Sequence, residues 1–228
     1  MTLNTTIVVL AFGSADRAVL GLCGAARALA RSRGEGVTAI VAGPAADAVS
    51  STISPYVERV QVLAHPDLGE YQPERFLHVL TAACAAAGSR VVLLAGDTYS
   101  QELAPRLAHR LGGVASADAV ALTASDDAID VRRAAYGGKA EAVFRLRRLP
   151  AVVWVRARGF EPPDPLPSAA VPEQVTAEPP ASVATRIVER SAADAGEIRL
   201  EDASRIVSGG RGIGGAEGSG KHARLTGR

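Results

Sequence analysis

The stretch TIVVLAF, residues 6–12, is a continuous run of aliphatic and β-branched residues. A run without polar alternation is typical of a strand buried on both faces, as in the parallel sheets of α/β proteins. Three similar runs follow it: VTAIVAG at 37–43, RVQVLA at 59–64 and RVVLLAG at 90–96. Together the four runs predict a parallel sheet that is covered on both faces.

Amphipathic segments separate these runs. Ser14 is placed to cap a helix that extends to Arg33, and apolar residues recur along it at three- and four-residue spacing. Segments 44–54, 73–87 and 100–113 predict three more helices, the first of which begins with a proline. Because strand–helix–strand units form right-handed crossovers, we expect an α/β fold with a Rossmann-like, doubly wound, mostly parallel sheet.

The pattern changes after the fourth helix. AVALT (119–123), AIDVRRAAY (128–136), AEAVFRLRR (140–148) and AVVWVRA (151–157) are four strand-like runs with no helix between them. Gly137–Gly138 between two alternating runs favours a hairpin. We therefore expect antiparallel strands added at one edge of the sheet, with the single tryptophan of the last run in the core.

Proline marks the next segment. Seven of the 13 prolines lie between residues 162 and 180, a composition that favours an extended surface linker. ASVATRIVERS, at 181–191, is expected to form one more strand. The predicted organisation is therefore a Rossmann-like domain at 1–161, a proline-rich linker at 162–181, and at 182–228 a strand with the start of an incomplete second α/β domain.

Composition excludes several functions. The net charge of +1 gives no electrostatic reason to expect DNA, RNA or an anionic membrane as a partner. No segment has the length of a membrane span or the form of a signal peptide. The two cysteines, Cys23 and Cys84, lie on apolar helix faces, which predicts reduced thiols and a cytoplasmic location. The four histidines are scattered, so no metal site is expected.

The glycine-rich turn VSGGRG, residues 207–212, is the candidate binding site. Glycines let the backbone approach an anion closely, and Arg211 supplies a permanently charged, forked donor for a phosphate. The nearby GAEGSGKH (215–222) has the Gly and Lys spacing of a P-loop, but His222 stands where the magnesium-binding Ser or Thr belongs. A P-loop is therefore rejected.

A second candidate lies at the end of the fourth strand. Asp97, Thr98, Tyr99 and Ser100 follow a predicted parallel strand at its carboxyl end, where open α/β sheets bind ligands. The same residues also fit a helix-capping loop without a ligand. No serine has a His and Asp partner recognisable by spacing, so the sequence gives no support for nucleophilic catalysis.

Three stretches carry a resemblance to a known family. LAPRLAHRLG (103–112), AAYGGKAEAVFRLRRLPAVVWVRARGFEPP (134–163) and DASRIVSGGRGIGGAEG (202–218) occur in this order. Together they resemble the alpha subunit of electron transfer flavoproteins, and the YGGKA hairpin and VSGGRG turn are the most specific elements. The likeness extends over essentially the whole chain and is weaker before residue 90.

The resemblance implies a cofactor and partners. In the family, a turn of this kind opens an FAD-binding domain. Arg211 would then face FAD, and Ser208, Gly209, Gly210 and Gly212 would shape the turn. A beta subunit completes the heterodimer, which carries electrons from flavin dehydrogenases, such as acyl-CoA dehydrogenases, to a quinone reductase. The protein would thus be an electron carrier rather than an enzyme with its own substrate.

The sequence departs from this family after GIGGAEG. There the family continues into the rest of the FAD domain, whereas this chain has SGKHARLTGR. We therefore expect a truncated alpha-type subunit that does not retain FAD by itself. Two alternatives stay open: a non-redox module that binds a subunit, and a nucleotide-binding domain that uses residues 96–101.

The basic hairpin is the expected contact with the beta subunit. Five arginines lie on or beside its strands: Arg132, Arg133, Arg145, Arg147 and Arg148. A strand at a sheet edge leaves unpaired backbone groups, and such edges are usually covered. We expect the edge around Tyr136–Arg148 to be covered by a beta-like subunit.

Overall fold

The computed structural model describes residues 5–12, 17–125, 127–156, 159–189 and 205. The chain divides into two compact units, Met1–Arg186 and Ile187–Arg228, and almost all the described residues belong to the first. The predicted sites at 208–212 and 215–222 lie outside the described residues.

The described residues of the first unit form nine strands and four α-helices. The strands are β1 (Thr5–Ala11), β2 (Gly36–Val41), β3 (Arg59–Ala64), β4 (Val91–Leu94), β5 (Val114–Ala124), β6 (Ile129–Ala135), β7 (Ala140–Leu146), β8 (Ala151–Val155) and β9 (Pro172–Thr176). The helices are α1 (Arg17–Arg33), α2 (Ala46–Ile53), α3 (Pro73–Ala86) and α4 (Thr98–Arg110). The first four strands and the helices between them lie where the hydrophobic pattern predicts them.

All nine strands form one sheet in the order β7-β6-β5-β8-β4-β1-β2-β3-β9. Only the β5–β6 and β6–β7 pairs are antiparallel. The α/β fold with a mostly parallel, doubly wound sheet and antiparallel strands at one edge is therefore confirmed.

One detail differs from the expected strand positions. β8 lies inside the sheet, parallel to both β4 and β5, rather than in the antiparallel edge. This position buries Ala151, Val152, Val153 and Val155 almost completely, which fits their continuous apolar run.

Two apolar layers enclose the sheet. On one face, α1 and α2 pack against alternate residues of the central strands, such as Val9 and Val37. On the other face, α3 and α4 pack against the intervening residues, such as Leu10 and Ile40. Alternate burial on two faces is the direct consequence of the two-residue period of a strand.

The proline-rich segment does more than connect two parts of the chain. Residues 160–186, which we term the belt, run along the surface of the first unit. The belt contributes β9, which pairs in parallel with β3 over Pro172–Thr176. Before β9, the Leu166 amide donates to the Pro55 carbonyl at 2.7 Å, and the Ala170 amide donates to the Ser54 carbonyl at 2.9 Å. Part of the expected linker is thus a strand of the sheet.

The start of the belt packs against two glycines of α1. A Cβ at Gly21 would overlap the Phe160 carbonyl, and a Cβ at Gly24 would overlap the Glu161 carbonyl. One turn further along, Arg27 donates to the Asp164 carbonyl. The absence of side chains at these two positions lets the belt backbone lie directly on the helix.

The start of α3 holds the end of the belt. The Oε1 atom of Gln72 caps α3 by accepting from the Arg75 amide at 2.9 Å, and its Nε2 donates to Thr185 Oγ1 at 2.8 Å. The Ala184 amide donates to Glu74 Oε2 at 2.6 Å. Residues 181–189, where a strand was expected, form no strand.

Candidate functional site

The carboxyl ends of β1 and β4 form the switch point of the doubly wound sheet. β1 pairs with β2 on one side and with β4 on the other. The helices after β1 and β4 cover opposite faces, so the two chain segments diverge at this place. Open α/β sheets bind their ligands in such a crevice, and the candidate residues 97–100 lie at its β4 side.

The helix terminus that could bind a phosphate here is already occupied by the chain itself. Asp97 is the N-cap of α4, and its Oδ1 accepts the Ser100 amide at 2.7 Å. A carboxylate in this position satisfies one of the free N–H groups and complements the positive end of the helix dipole. It would also repel an incoming phosphate. Within the described residues, segment 97–100 is therefore a helix cap, which argues against the nucleotide-binding alternative.

Aromatic rings fill the same edge of the sheet. Tyr71 and Tyr99 stack with ring centroids 4.1 Å apart, and Phe12 and Phe76 pack edge-on beside them. The Tyr71 hydroxyl donates to Glu102 Oε2 at 3.1 Å. Burial raises the pKa of Tyr71, and the charge of Glu102 adds to the increase. The hydroxyl thus remains protonated, and the cluster acts as packing rather than as a source of acid or base.

On the β4 side of this crevice, the described residues offer no site for the diphosphate of a flavin dinucleotide. Recognition of its diphosphate needs cations or free backbone N–H groups, whereas the β4 side presents a carboxylate and aromatic rings. The predicted FAD contacts Ser208, Gly209, Gly210, Arg211 and Gly212 lie outside the described residues. They stay a prediction.

A different cavity opens beside the antiparallel strands. A groove of about 420 Å³ is lined by residues of α4 and of strands β5–β8. Its apolar lining includes Ala104, Phe144, Leu146 and Trp154, and Arg133 is its cationic group. Trp154 was expected in the core. It is only partly buried, since one side packs against the apolar layer and the other reaches the groove.

Intramolecular ion pairs use part of the basic cluster. Arg145 makes a bidentate pair with Asp130 at 2.8 and 2.7 Å, and Arg132 lies 3.7 Å from Glu141. The hydrogen bonds from Arg145 hold the pKa of Asp130 below its ordinary value. Among the described residues, Arg133 has no hydrogen bond or ion pair. The cations of the hairpin outside these two pairs are Arg133, Lys139, Arg147 and Arg148, and the charge of Arg133 acts on Asp118 of β5, whose pKa it helps to lower.

The sequence analysis did not recognise Phe144 of β7 as an exposed apolar residue. Phe144 follows Val143 directly, and the two are 46% and 62% exposed. Adjacent residues of a strand point to opposite faces, so β7 exposes apolar side chains on both of its faces. The signal was present in the sequence as two consecutive large apolar residues in an otherwise alternating run.

The described residues give no support for a reactive cysteine, a metal site or a membrane-spanning helix. Cys23 and Cys84 are free and buried, and burial raises the pKa of each thiol to about 12. In the described part of the chain, no three His, Cys, Asp or Glu side chains are grouped to hold a metal ion. No described helix combines the length and the apolar character needed to cross a bilayer.

Known proteins are similar to this chain over most of its length. Residues 6–199 match the electron transfer flavoprotein domain family. An electron transfer flavoprotein subunit alpha from Thermoanaerobacterium thermosaccharolyticum is 26% identical over 211 residues, 90% of this chain and 64% of that protein. A subunit of the same name from Megasphaera elsdenii is 30% identical over 199 residues, 84% of this chain and 59% of that protein.

The chain thus spans about three fifths of the length of these relatives. The family match begins in β1 and includes the sheet, all four helices and the belt. It agrees with the resemblance found in the YGGKA hairpin and in the stretches around it. The chain belongs to the electron transfer flavoprotein domain family.

Proposed function

We propose that the chain is an alpha-type component of an electron transfer flavoprotein. It takes electrons from flavin dehydrogenases, such as acyl-CoA dehydrogenases, and passes them towards a quinone reductase, in a heterodimer with a beta-type subunit. The observation that carries this proposal is the family match over residues 6–199. The protein is then an electron carrier without a substrate of its own, and its two buried thiols suit a reducing compartment such as the cytoplasm.

FAD supplies the redox chemistry when it is bound. The described residues on the β4 side of the crevice offer no diphosphate site, and we propose the turn at Ser208–Gly212 as a contribution of this chain to binding. Glycines there would allow a close backbone approach, and Arg211 would donate to a phosphate oxygen. Of the segment 182–228 that we expected to start an FAD-binding domain, residues 182–186 belong to the belt of the first unit, and we propose that the FAD-binding domain starts within 187–228.

The turn alone is too weak to retain the cofactor. A charge-assisted hydrogen bond from Arg211 contributes about 1.5–3 kcal/mol. Micromolar binding needs about 8 kcal/mol, and cofactors of this size are held by several converging groups. We therefore expect the 228-residue chain to be colourless when purified alone. We propose that the beta-type subunit supplies further contacts.

The experiment compares the chain alone with the chain co-expressed with an electron transfer flavoprotein beta subunit. Each sample receives excess FAD, is desalted, and has its visible spectrum recorded. The chain alone should lose the flavin band and the complex should keep it. Arg211→Ala should weaken retention by the complex about tenfold or more, whereas Arg205→Ala, an exposed arginine outside the turn, should leave it unchanged.

A stoichiometric flavin band in the chain alone would contradict this account of FAD binding. A complex without flavin and without electron transfer would favour the second candidate, a non-redox module that binds a subunit. The exposed apolar residues of β7 favour that candidate, because they are available to a partner whether or not FAD is bound.

A further inference from the structure

A small pocket lies beside the last turn of α3, on the face of the sheet that this helix covers. Its volume is about 140 Å³. The residues that line it are Thr38 of β2, Arg59 and Gln61 of β3, Ala83, Ala86 and Ala87 at the end of α3, and Val175 of β9. Because Thr38 and Arg59 lie near the starts of their parallel strands, the pocket is at the opposite end of the sheet from the β1–β4 crevice.

The Thr38 hydroxyl points to a ligand in this pocket. Thr38 is 2% exposed, and among the described residues its Oγ1 atom has no hydrogen-bond partner. The rest of β2, GVTAIV, is buried and apolar. A valine would occupy the same space, and a buried polar atom without a partner is costly. Packing therefore does not explain the hydroxyl, whereas a molecule bound in the pocket could accept a hydrogen bond from it.

Arg59 gives the pocket its charge. It is exposed at the start of β3, and no hydrogen bond or ion pair joins it to another described residue. The neighbouring carboxylate of Glu58 is engaged elsewhere, since its Oε2 accepts the Val37 amide at 2.7 Å. A guanidinium matches a planar carboxylate in a bidentate pair. The side chain of Arg59 is thus available to a carboxylate from outside the chain.

The size and the lining of the pocket limit the class of ligand. A volume of about 140 Å³ holds more than one water molecule but is well below the roughly 300–1,000 Å³ of a site for a drug-sized ligand, so a nucleotide or a flavin does not fit. A phosphate ion would bring more charge and more oxygens than one guanidinium and two neutral polar groups can satisfy. A short aliphatic carboxylate suits both the cation and the alanine wall.

We propose that this pocket binds a short aliphatic carboxylate, such as propionate. The carboxylate pairs with Arg59 and accepts from the Thr38 hydroxyl, and the alkyl chain lies against Ala83 and Val175. This orientation keeps the charge away from the last carbonyls of α3, which form the negative end of the helix dipole. Because Val175 belongs to β9, the ligand joins β3, α3 and the belt. The inference goes beyond the proposed function and does not rest on it.

A titration of the full chain with sodium propionate tests the site. The chain is labelled with nitrogen-15, and sodium chloride at the same ionic strength serves as the reference. The amide resonances of β3 and β9 should shift and reach saturation in the millimolar range, because so few ligand atoms make contact. Propionamide keeps the shape without the charge and should bind about tenfold more weakly. Inorganic phosphate should give no saturable shift.

Three variants test the lining residues, two of them with a matched control. Arg59→Gln should weaken binding about tenfold, whereas Arg31→Gln, on an exposed face of α1, should not. Ala83→Leu fills the pocket and should abolish binding, whereas Ala82→Leu, exposed on the same helix, should not. Thr38→Val should weaken binding several-fold without destabilising the free chain, because it removes no hydrogen bond to a described residue. Circular dichroism checks the fold of each variant.

The outcomes separate a carboxylate site from simpler explanations. Saturable shifts that are lost in Arg59→Gln and Ala83→Leu would support the inference. Shifts that sodium chloride reproduces, or equal binding of propionamide or phosphate, would overturn it. Unchanged affinity together with lower stability of Thr38→Val would show that the hydroxyl contributes only to packing, which also overturns it. None of these results depends on the retention of FAD, so a failure here leaves the proposed function standing.

Discussion

Both edges of the nine-stranded sheet are exposed strands, but they differ in how they are attached to the rest of the first unit. At one edge, β9 is part of the belt, which is attached to α1, to the Ser54–Pro55 turn and to α3. At the other edge, β7 is attached mainly through its ladder with β6. The belt edge begins with Pro172, and the hairpin edge exposes Val143 and Phe144.

This difference shows how contacts within the chain can anchor one edge strand. Proline removes an N–H group that another strand could use, and contacts on both flanks hold the belt in place. Among the described residues of the first unit, none holds the hairpin in this way. We conclude that the belt edge is anchored to the rest of the first unit on both flanks, whereas the hairpin edge is held mainly by its ladder with β6.

We expect the largest change in stability from a substitution at Gly24, where the belt contacts α1. Gly24→Ala places a methyl group against the Glu161 carbonyl, so the belt has to move or the helix has to shift. Overpacking of this kind costs about 1–3 kcal/mol. At an unobstructed helix position the same substitution would stabilise by up to about 1 kcal/mol, so the sign itself is informative. Urea denaturation measures the free energy of unfolding.

Ala28→Leu is the matched control on the same helix. Ala28 is exposed, so the added side chain points to solvent and should change the free energy of unfolding by less than about 0.5 kcal/mol. An unchanged or increased stability of Gly24→Ala would show that the belt is not seated on α1.

A smaller effect is expected at the far end of the belt. Gln72→Ala removes the α3 cap and the bonds to Thr185 together. Loss of a helix cap alone costs about 0.5–2 kcal/mol, and typically about 1. Thr185→Val keeps the cap and removes the bonds of the Thr185 hydroxyl to Gln72 and Glu74, so it should destabilise less. Thermal unfolding gives the order of the two variants.

Amide hydrogen exchange shows which part of the chain is loosened by Thr185→Val. Thr185→Val should speed exchange of the Ala184 amide, which donates to Glu74, while the amides of α3 keep their wild-type rates. Equal rates at Ala184 in the variant and the wild type would mean that the bonds of the Thr185 hydroxyl do not hold the belt.

The smallest effect is a dependence of the hairpin edge on pH. The folded-state pKa of Asp130 is lowered, first by the hydrogen bond from Arg145. Its contribution is therefore complete above the ordinary carboxyl range and is lost as the pH falls through and below about 4. Exchange of the β6 and β7 amides, corrected for intrinsic rates, should rise in acid more than exchange of the β9 amides.

Asp130→Asn is the control for this prediction. It removes the titrating group, so the hairpin should become less protected at neutral pH and lose this part of its acid response. An acid response that persists in Asp130→Asn would assign it to another carboxylate, for example Asp118. The Arg156 hydrogen bond, more than the charges of Arg156 and Arg133, holds the pKa of Asp118 below its ordinary value.

Local sequence patterns were sufficient for most elements of the first unit. The apolar run at 6–12 predicted β1, and the amphipathic spacing before Arg33 predicted α1. Gly137–Gly138 predicted the turn between β6 and β7, and both glycines have positive φ angles there. These features depend on residues close together in the chain, where backbone preferences and side-chain periodicity act directly.

Only the tertiary structure decided which distant segments meet. Nothing in AVVWVRA distinguishes an edge strand from an inner one, so the place of β8 between β4 and β5 could not be read from it. The proline content of residues 162–180 is compatible with a free linker and with a belt on the surface. The glycines of α1 matter only because residues 160–164 lie against them in the folded chain. The same holds for the groove, because Arg133, Phe144 and Trp154 come together through the strand order. The sequence by itself determined where the helices and strands form. Long-range packing determined which of them are neighbours, because the free energy of such a contact depends on both segments and cannot be inferred from one of them.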